Sequence, residues 1–344
     1  MTRFPKPLLA GDLIAVTAPS SGVSRPAIAR LEVVLSHVRS QGYRVIEGEC
    51  LRGQHKDASA PAAQRAHELM RFLTDPAVSA IIPPWGGELA IELLRLIDFE
   101  ALRSVSPKWL LGYSDLSTLQ LPLTIISGWA TAHGPCLMDL APTQTNPLTT
   151  SVLKVLSADF SRPVVQDAST HHQKEWMDFE MHADAPLNLT EPTCWKRLDG
   201  SAGPIDFRGR LIGGCLDTIA PLAGSPYGDV PGFVRESGGA GAILYLENAE
   251  IGPTGLVRTL WGLRLNGWFK DLSGLMLGRS TGPLPERADS LTYEEALLAV
   301  LGDLPYPVLY DVDIGHKPPQ FTLINGAMAQ VTLEAGRGRI TQGR

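Results

Sequence analysis

Several things are scarce in this chain of 344 residues, and each scarcity removes a class of protein. It has four cysteines, Cys50, Cys136, Cys194 and Cys215, far apart and without a CxxC pair. That speaks against a disulfide framework or a zinc site and leaves free thiols packed as small apolar groups. Long apolar runs are missing too. The best stretch, LQLPLTIISGWATA, is broken by Pro122 and Gly128 and falls short of the 18 or so residues of a spanning helix. The opening MTRFPKPLLAGDLIAV is interrupted by Pro5, Pro7, Gly11 and Asp12, so no signal-peptide core is expected and a cytoplasmic protein without a membrane partner is. Charged residues make up only 19%, with no polar or Gly/Ser tract, which argues against disorder. Acidic residues outnumber basic ones 36 to 30, and the net negative charge disfavours a nucleic-acid polymer as partner.

What is present points to an α/β protein. At roughly 150 residues per domain the length suggests two. Residues 13–19 (LIAVTAP), 44–48 (RVIEG), 79–84 (SAIIPP), 109–112 (WLLG) and 130–134 (ATAHG) are short apolar runs ending in Gly, Pro or Ser, as buried strands do. Between them RPAIARLEVVLSHVRSQGY, PAAQRAHELMRFLTD, ELAIELLRLID and DLSTLQLPLTI read as helices. This alternation predicts an N-terminal parallel sheet flanked by helices over residues 1–160, with functional groups at the carboxyl ends of its strands. Residues 161–200 lose periodicity and read as an irregular linker and substrate loop. Residues 201–344 return to strands and helices in a smaller, β-rich α+β domain.

Few residues invite chemistry. In LLGYSDLSTL a strand ends at Gly112 and a helix begins near Asp115, which puts Ser114 on the turn. It is either the cap of that helix or a nucleophile beside helix-start amides. The α/β-hydrolase elbow would need glycine at 116, where this chain has Leu116. The pair Gly86-Gly87, before Glu88, ends another strand and suits either a tight turn or a close ligand approach; Gly213-Gly214 is similar. For a base, His316 on a Gly/Pro loop after PVLYDVDI competes with His133 in ATAHGP. His171, His172 and His182 lack metal-ligand spacing. Glu247 ends the apolar run AILYLE, where a carboxylate is costly unless paired with a histidine or a cation. Trp176 and Trp195 either pack the 161–200 segment or stack on a base. Arg210, Arg258 and Arg279 are candidate carboxylate donors or ordinary ion-pair partners.

Taken in order, GDLIAVTAPSS, PPWGGELA, LLGYSD, ATAHGP, GRLIGGCLDT, AILYLENAE, GLMLGRSTG and the late Gly315-His316 resemble the serine peptidases that include the LD-carboxypeptidases and the microcin C immunity peptidases. The resemblance implies Ser114 as nucleophile, Glu247 as orienting acid and His316 as general base. It also implies an oxyanion hole from the N–H groups of Gly87 and Asp115, with no metal or organic cofactor. Gly86, Glu88, Trp176 and Trp195 are the expected substrate contacts. A homodimer is implied as well. The long 161–200 segment and GGCLDT favour an immunity-like peptidase cutting an aminoacyl- or peptidyl-nucleotide amide. A murein tetrapeptide carboxypeptidase is the alternative; an α/β-hydrolase-type esterase or a non-catalytic nucleotide- or peptide-binding module lies further off. Asn248 stands where the family commonly has an acidic residue.

Overall fold

A computed structural model describes residues 2–175, 181–285 and 287–344. The five apolar runs of the first half become β1 (Leu13–Val16), β2 (Arg44–Glu47), β3 (Val78–Ile81), β4 (Trp109–Gly112) and β5 (Thr131–His133). They pair in parallel in the order β5-β4-β3-β1-β2. β4 and β5 are buried at every position, which is why they read as unbroken apolar runs rather than as alternating ones. Helix Ile28–Ser40 turns Leu31, Val34, Leu35 and Val38 inward, and helix Ala62–Thr74 starts after Pro61 and buries Ala66, Leu69, Phe72 and Leu73. The helix expected in ELAIELLRLID is only a short 3-10 turn, Ala90–Leu93. Tertiary partners take its backbone instead: Ala90 N–H donates to Asp115, and the Leu89 carbonyl accepts from Arg65.

The remaining strands are β6 (Val164–Asp167), β7 (His171–Gln173), β8 (Leu189–Pro192), β9 (Lys196–Arg197), β10 (Ile205–Cys215), β11 (Ala242–Glu247), β12 (Gly274–Gly278), β13 (Val308–Val312), β14 (Leu323–Asn325), β15 (Met328–Glu334) and β16 (Arg337–Gly343). Eight of them form a second sheet, β6-β16-β15-β10-β11-β12-β13-β9. Its centre, β10 to β13, is parallel. The segment expected to be irregular supplies both edges of this sheet, β6 and β9, and the two-stranded ladder β7-β8. Among the described residues no helix is long and apolar enough to cross a membrane.

β14 does not stay with its neighbours. It pairs antiparallel with β5 and becomes the sixth strand of the first sheet. Its last residue, the fully buried Asn325, joins the two sheets. Oδ1 accepts from Tyr245 OH on β11 at 2.8 Å and from Gly213 N–H on β10 at 3.1 Å, while Nδ2 donates to Thr131 Oγ1 on β5 at 3.2 Å. The carboxyl ends of β4 in one sheet and of β10, β11 and β12 in the other therefore face a common cleft, as the topology of parallel sheets requires of a site. Replacing Asn325 by alanine should destabilise the fold by about 1–3 kcal/mol for each donor left unpaired. Urea denaturation followed by tryptophan fluorescence checks this, and an unchanged midpoint would show that Asn325 does not join the sheets.

Candidate active site

The turn that carries Ser114 is set by β4. Gly112, with φ of +150°, ends the strand where any Cβ would stand 2.2 Å from Leu116 Cδ1. The buried Gln120 amide donates to the carbonyls of Gly112 and Ala132 at 2.9 and 2.8 Å, which ties helix Ser117–Ile125 to the ends of β4 and β5. Ser114 lies between them at φ +62°. A left-handed serine costs about 1–3 kcal/mol and persists only where its surroundings enforce it. Ser114 is the first residue of the short 3-10 turn that follows, whose cap is Tyr113. Its hydroxyl points into the cleft and meets His316 Nε2 at 3.0 Å.

The Gly86-Gly87 loop lies against this turn. A Cβ on Gly86 would come within 2.7 Å of Ser114 Cβ, 2.9 Å of its Oγ and 3.0 Å of Asp115 N. Gly87 has φ of +139° and is crowded by Ser20 and Ser21. The buried Asp115 carboxylate fastens the loop by accepting from Ala90 N–H at 2.7 Å and from Ser20 Oγ at 2.5 Å. Burial raises the Asp115 carboxyl, and these hydrogen bonds only partly offset that. The backbone of the Gly pair and the Asp115 amide thus stand side by side next to Ser114, the arrangement an oxyanion requires. The lack of a side chain at Gly86 is what lets this loop lie against Ser114.

Glu247 and His316 come from the second sheet and the loop that follows its strand β13. Glu247 ends β11 and is 1% exposed. Its Oε2 accepts from His316 Nδ1–H at 2.7 Å. The loop after β13 can come this close because residue 315 is glycine at φ +88°, where a Cβ would sit 2.2 Å from Glu247 Oε2. Burial works to raise the Glu247 carboxyl, yet the charge and hydrogen bond of His316, with His133 and Cys215 alongside, bring it below its ordinary value. Burial works to lower His316, and Glu247, assisted by Asp217 and Asp139, outweighs it and raises the imidazole. Tyr113 packs its edge on the His316 ring with centroids 5.0 Å apart.

His133, the competing base, is elsewhere. It is fully buried between Tyr113 and Tyr245, and its Nδ1 lies 3.5 Å from Ser117 Oγ rather than near Ser114. Burial pushes it down to about 4, so it stays neutral. His172 lies on β7 at the wall of a cavity, and His182 is exposed.

Two contrasting environments flank the triad. On one side is an acidic rim: Glu88 is exposed, and its carboxyl is raised by partial burial and by Glu250, Asp115, Asp217 and Asp57. Asp217 is held there by the amides of Ala249 and Glu250. On the side of Lys317, the residue after His316, is a cavity of about 1160 Å³ whose walls carry Lys174, Lys196, Tyr293 and Tyr310 but none of Ser114, His316 and Glu247. Lys196 pairs with Asp311 at 3.0 Å. Lys174 and Lys317 have no ion-pair partner among the described residues. Arg279, a candidate carboxylate donor, is 3% exposed and held by Asp313 and by the carbonyls of Lys317 and Pro319. Arg210 bonds the Gly326 carbonyl and Arg258 is exposed on its helix, neither on this cavity.

The expected stacking role of Trp195 fails. The ring is 2% exposed, bonds Asp313 Oδ2 through Nε1 at 2.7 Å and lies edge-on to Phe321, so no face is free for a base. Trp176 lies outside the described residues. Sequence reasoning missed Lys174, Lys317, Gln120 and Tyr113. For Lys317 the signal was its place beside His316 in GHKPP; for the others there was none.

The geometry can perform acyl transfer. A serine hydroxyl, an imidazole and a buried carboxylate are joined by two hydrogen bonds, with backbone amides beside the serine. Because His316 must be neutral to accept a proton, the acid limb of kcat/KM should fall above the ordinary histidine value of about 6.5. Glu247→Gln should move that limb to lower pH as well as slow the reaction. A pH profile of both proteins tests this; identical limbs would mean that Glu247 does not act on His316.

Two family models, described as the LD-carboxypeptidase N-terminal domain and the LD-carboxypeptidase C-terminal domain, match residues 14–134 and 208–331. The chain is similar to a probable murein peptide carboxypeptidase of Bacillus subtilis, at 27% identity over 94% of this chain and 90% of that one. It is also similar to the microcin C7 self-immunity protein MccF of Escherichia coli, at 25% identity over 98% of this chain and 95% of that one. A solved structure of MccF in complex with aspartyl sulfamoyl adenosine shares the fold, with a TM-score of 0.82 at 23% identity, covering 99% of this chain and 98% of that one.

Proposed function

Since the chain belongs to the LD-carboxypeptidase family and is a serine-type carboxypeptidase, we propose that Ser114, His316 and Glu247 are its catalytic triad and that it cuts the amide of an aminoacyl- or peptidyl-nucleotide. The continuous hydrogen bonding from Ser114 Oγ through His316 to Glu247 carries the first part. His316 Nε2 takes the Ser114 proton as the hydroxyl attacks the amide carbon, and passes it to the leaving nitrogen. Glu247 keeps the other proton on Nδ1. The N–H groups of Gly87 and Asp115 receive the oxyanion. Water then hydrolyses the acyl-enzyme by the same route in reverse.

The cavity supports the second part. At about 1160 Å³ it exceeds the usual span of roughly 300–1,000 Å³ for a small-molecule site, and a terminal alanine would leave most of it empty. The ammonium groups of Lys174 and Lys317 suit an anionic phosphoryl or sulfamoyl linkage, and the half-buried Tyr293 on its wall suits a nucleobase. On the opposite side, Glu88 and its acidic neighbours suit the free ammonium of an aminoacyl group. A murein tetrapeptide is the second reading, since the same lysines would also meet a terminal carboxylate. The family resemblance carries a cytoplasmic homodimer, and light scattering giving the mass of one chain would contradict the dimer.

Mass spectrometry of wild type and Ser114→Ala incubated separately with aspartyl sulfamoyl adenosine and a murein tetrapeptide tests the reading. The expected outcome is cleavage of the first by wild type and a loss of roughly a thousandfold or more in the variant. Release of terminal D-alanine alone would assign the cavity to murein. Full activity in Ser114→Ala would overturn the triad.

A further inference from the structure

One reactive group beside the triad has no part in the chemistry above. Cys215 ends β10 in register with Glu247 at the end of β11, and its N–H is fixed by Ser117 Oγ at 3.0 Å. The thiol is 1% exposed, and its Sγ lies 3.6 Å from Asp217 Oδ2. Burial and the facing carboxylates of Glu247 and Asp217 keep it protonated. Beside it, Glu247 Oε1 is buried and accepts no hydrogen bond from the described residues. The Cys215 sulfur, a Glu247 oxygen and a His316 ring nitrogen all lie within 4.8 Å of one another.

We propose that Cys215, Glu247 and His316 form an inhibitory site for a thiophilic divalent cation of the zinc class, which shuts the enzyme by taking the imidazole away from Ser114. The proposal rests on the triad reading given above. Zinc bonds of about 2.0–2.3 Å place tetrahedral ligand atoms roughly 3.3–3.8 Å apart, so side-chain movements of about 1 Å close the observed cluster onto a metal. The charges match as well. One thiolate and one carboxylate neutralise a dication, which is what burial of an ion demands. Imidazole supplies the third ligand, and water from the cleft the fourth.

The protons account for the inhibition. Binding releases the thiol proton of Cys215 to solvent. Metal on Nδ1 displaces the proton that His316 donates to Glu247, and the ring then carries its proton on Nε2. Facing Ser114, that nitrogen becomes a donor where catalysis needs an acceptor, and the metal also takes over the carboxylate that orients the ring. Magnesium, which prefers oxygen ligands in an octahedron, should leave the enzyme unaffected.

Cobalt(II) titration of the full chain, freed of metal by a chelator, reads binding without any substrate. The expected result is a thiolate-to-cobalt charge-transfer band reaching its limit at one metal per chain, absent in Cys215→Ser. Because Cys194 is exposed, only the difference between the two proteins counts. Zinc should abolish hydrolysis of aspartyl sulfamoyl adenosine by wild type. Cys215→Ser should need at least the roughly tenfold more zinc that even loss of an outer-shell partner demands. Zinc K-edge absorption of the wild type should show one sulfur in the metal shell, so the proposal stays testable even if the variant does not fold. No sulfur in that shell, or the same cobalt band in both proteins, would overturn it. A wild type that forms the band but does not cut the adenosine substrate would contradict the substrate reading and leave the metal site standing.

Discussion

A carboxylate at the end of an apolar strand is the constraint around which this molecule is arranged. Glu247, 1% exposed, follows five buried residues of β11, and an ionised carboxyl cannot stay in such a place without a partner. The partner is His316, and bringing it there determines much else. The loop after β13 must pass so close that residue 315 has to be glycine, and the backbone of Gly278 at the end of β12 must press against Ile314 and the Glu247 stem. His316 in turn fixes where the Ser114 hydroxyl points. Three strands of one sheet and one of the other are therefore positioned by a single buried charge.

Much of this was legible in the sequence, for identifiable reasons. β1, β4 and β5 are covered on both faces, so burial writes them as continuous apolar runs. Glu247 stood out because its chemistry contradicts its surroundings, and His316 because Gly and Pro around a histidine make poor core. Other features left no local trace. Trp195 resembles a stacking residue in sequence, but its indole satisfies the buried Asp313, a partner 118 residues away. Arg279 serves that same aspartate and so is not free for a ligand. The segment 161–200 read as irregular because its strands are two to four residues long, and β6 and β9 take their register from β16 and β13, far along the chain, while β7 and β8 pair only with each other. Short strands set by distant partners show no period of their own.

The two sheets divide the labour unequally. The first contributes a strained turn: Ser114 in a left-handed conformation, with Gly86 pressed against it and Asp115 bracing the loop beneath. The second contributes charge, with the acid, the base and the lysine-bearing cavity all on its carboxyl side. Strain fixes where the hydroxyl is, and electrostatics fixes its proton. An acidic rim around Glu88 on one flank and a lysine-bearing hollow on the other give the cleft an electrical polarity.

Strand β14 gives this arrangement an order in time. It follows every strand of the second sheet's parallel centre and yet completes the sheet whose other strands all come from the first 133 residues. On the ribosome the sheet that carries Ser114 therefore waits, with one edge open and β5 unpaired on that side, until residues 323–325 have emerged. Neither half can be released as a working unit, and a ribosome that stalls before residue 316 leaves Ser114 without His316. An enzyme able to cut peptide amides thus acquires that ability only after the strands of both sheets have been made.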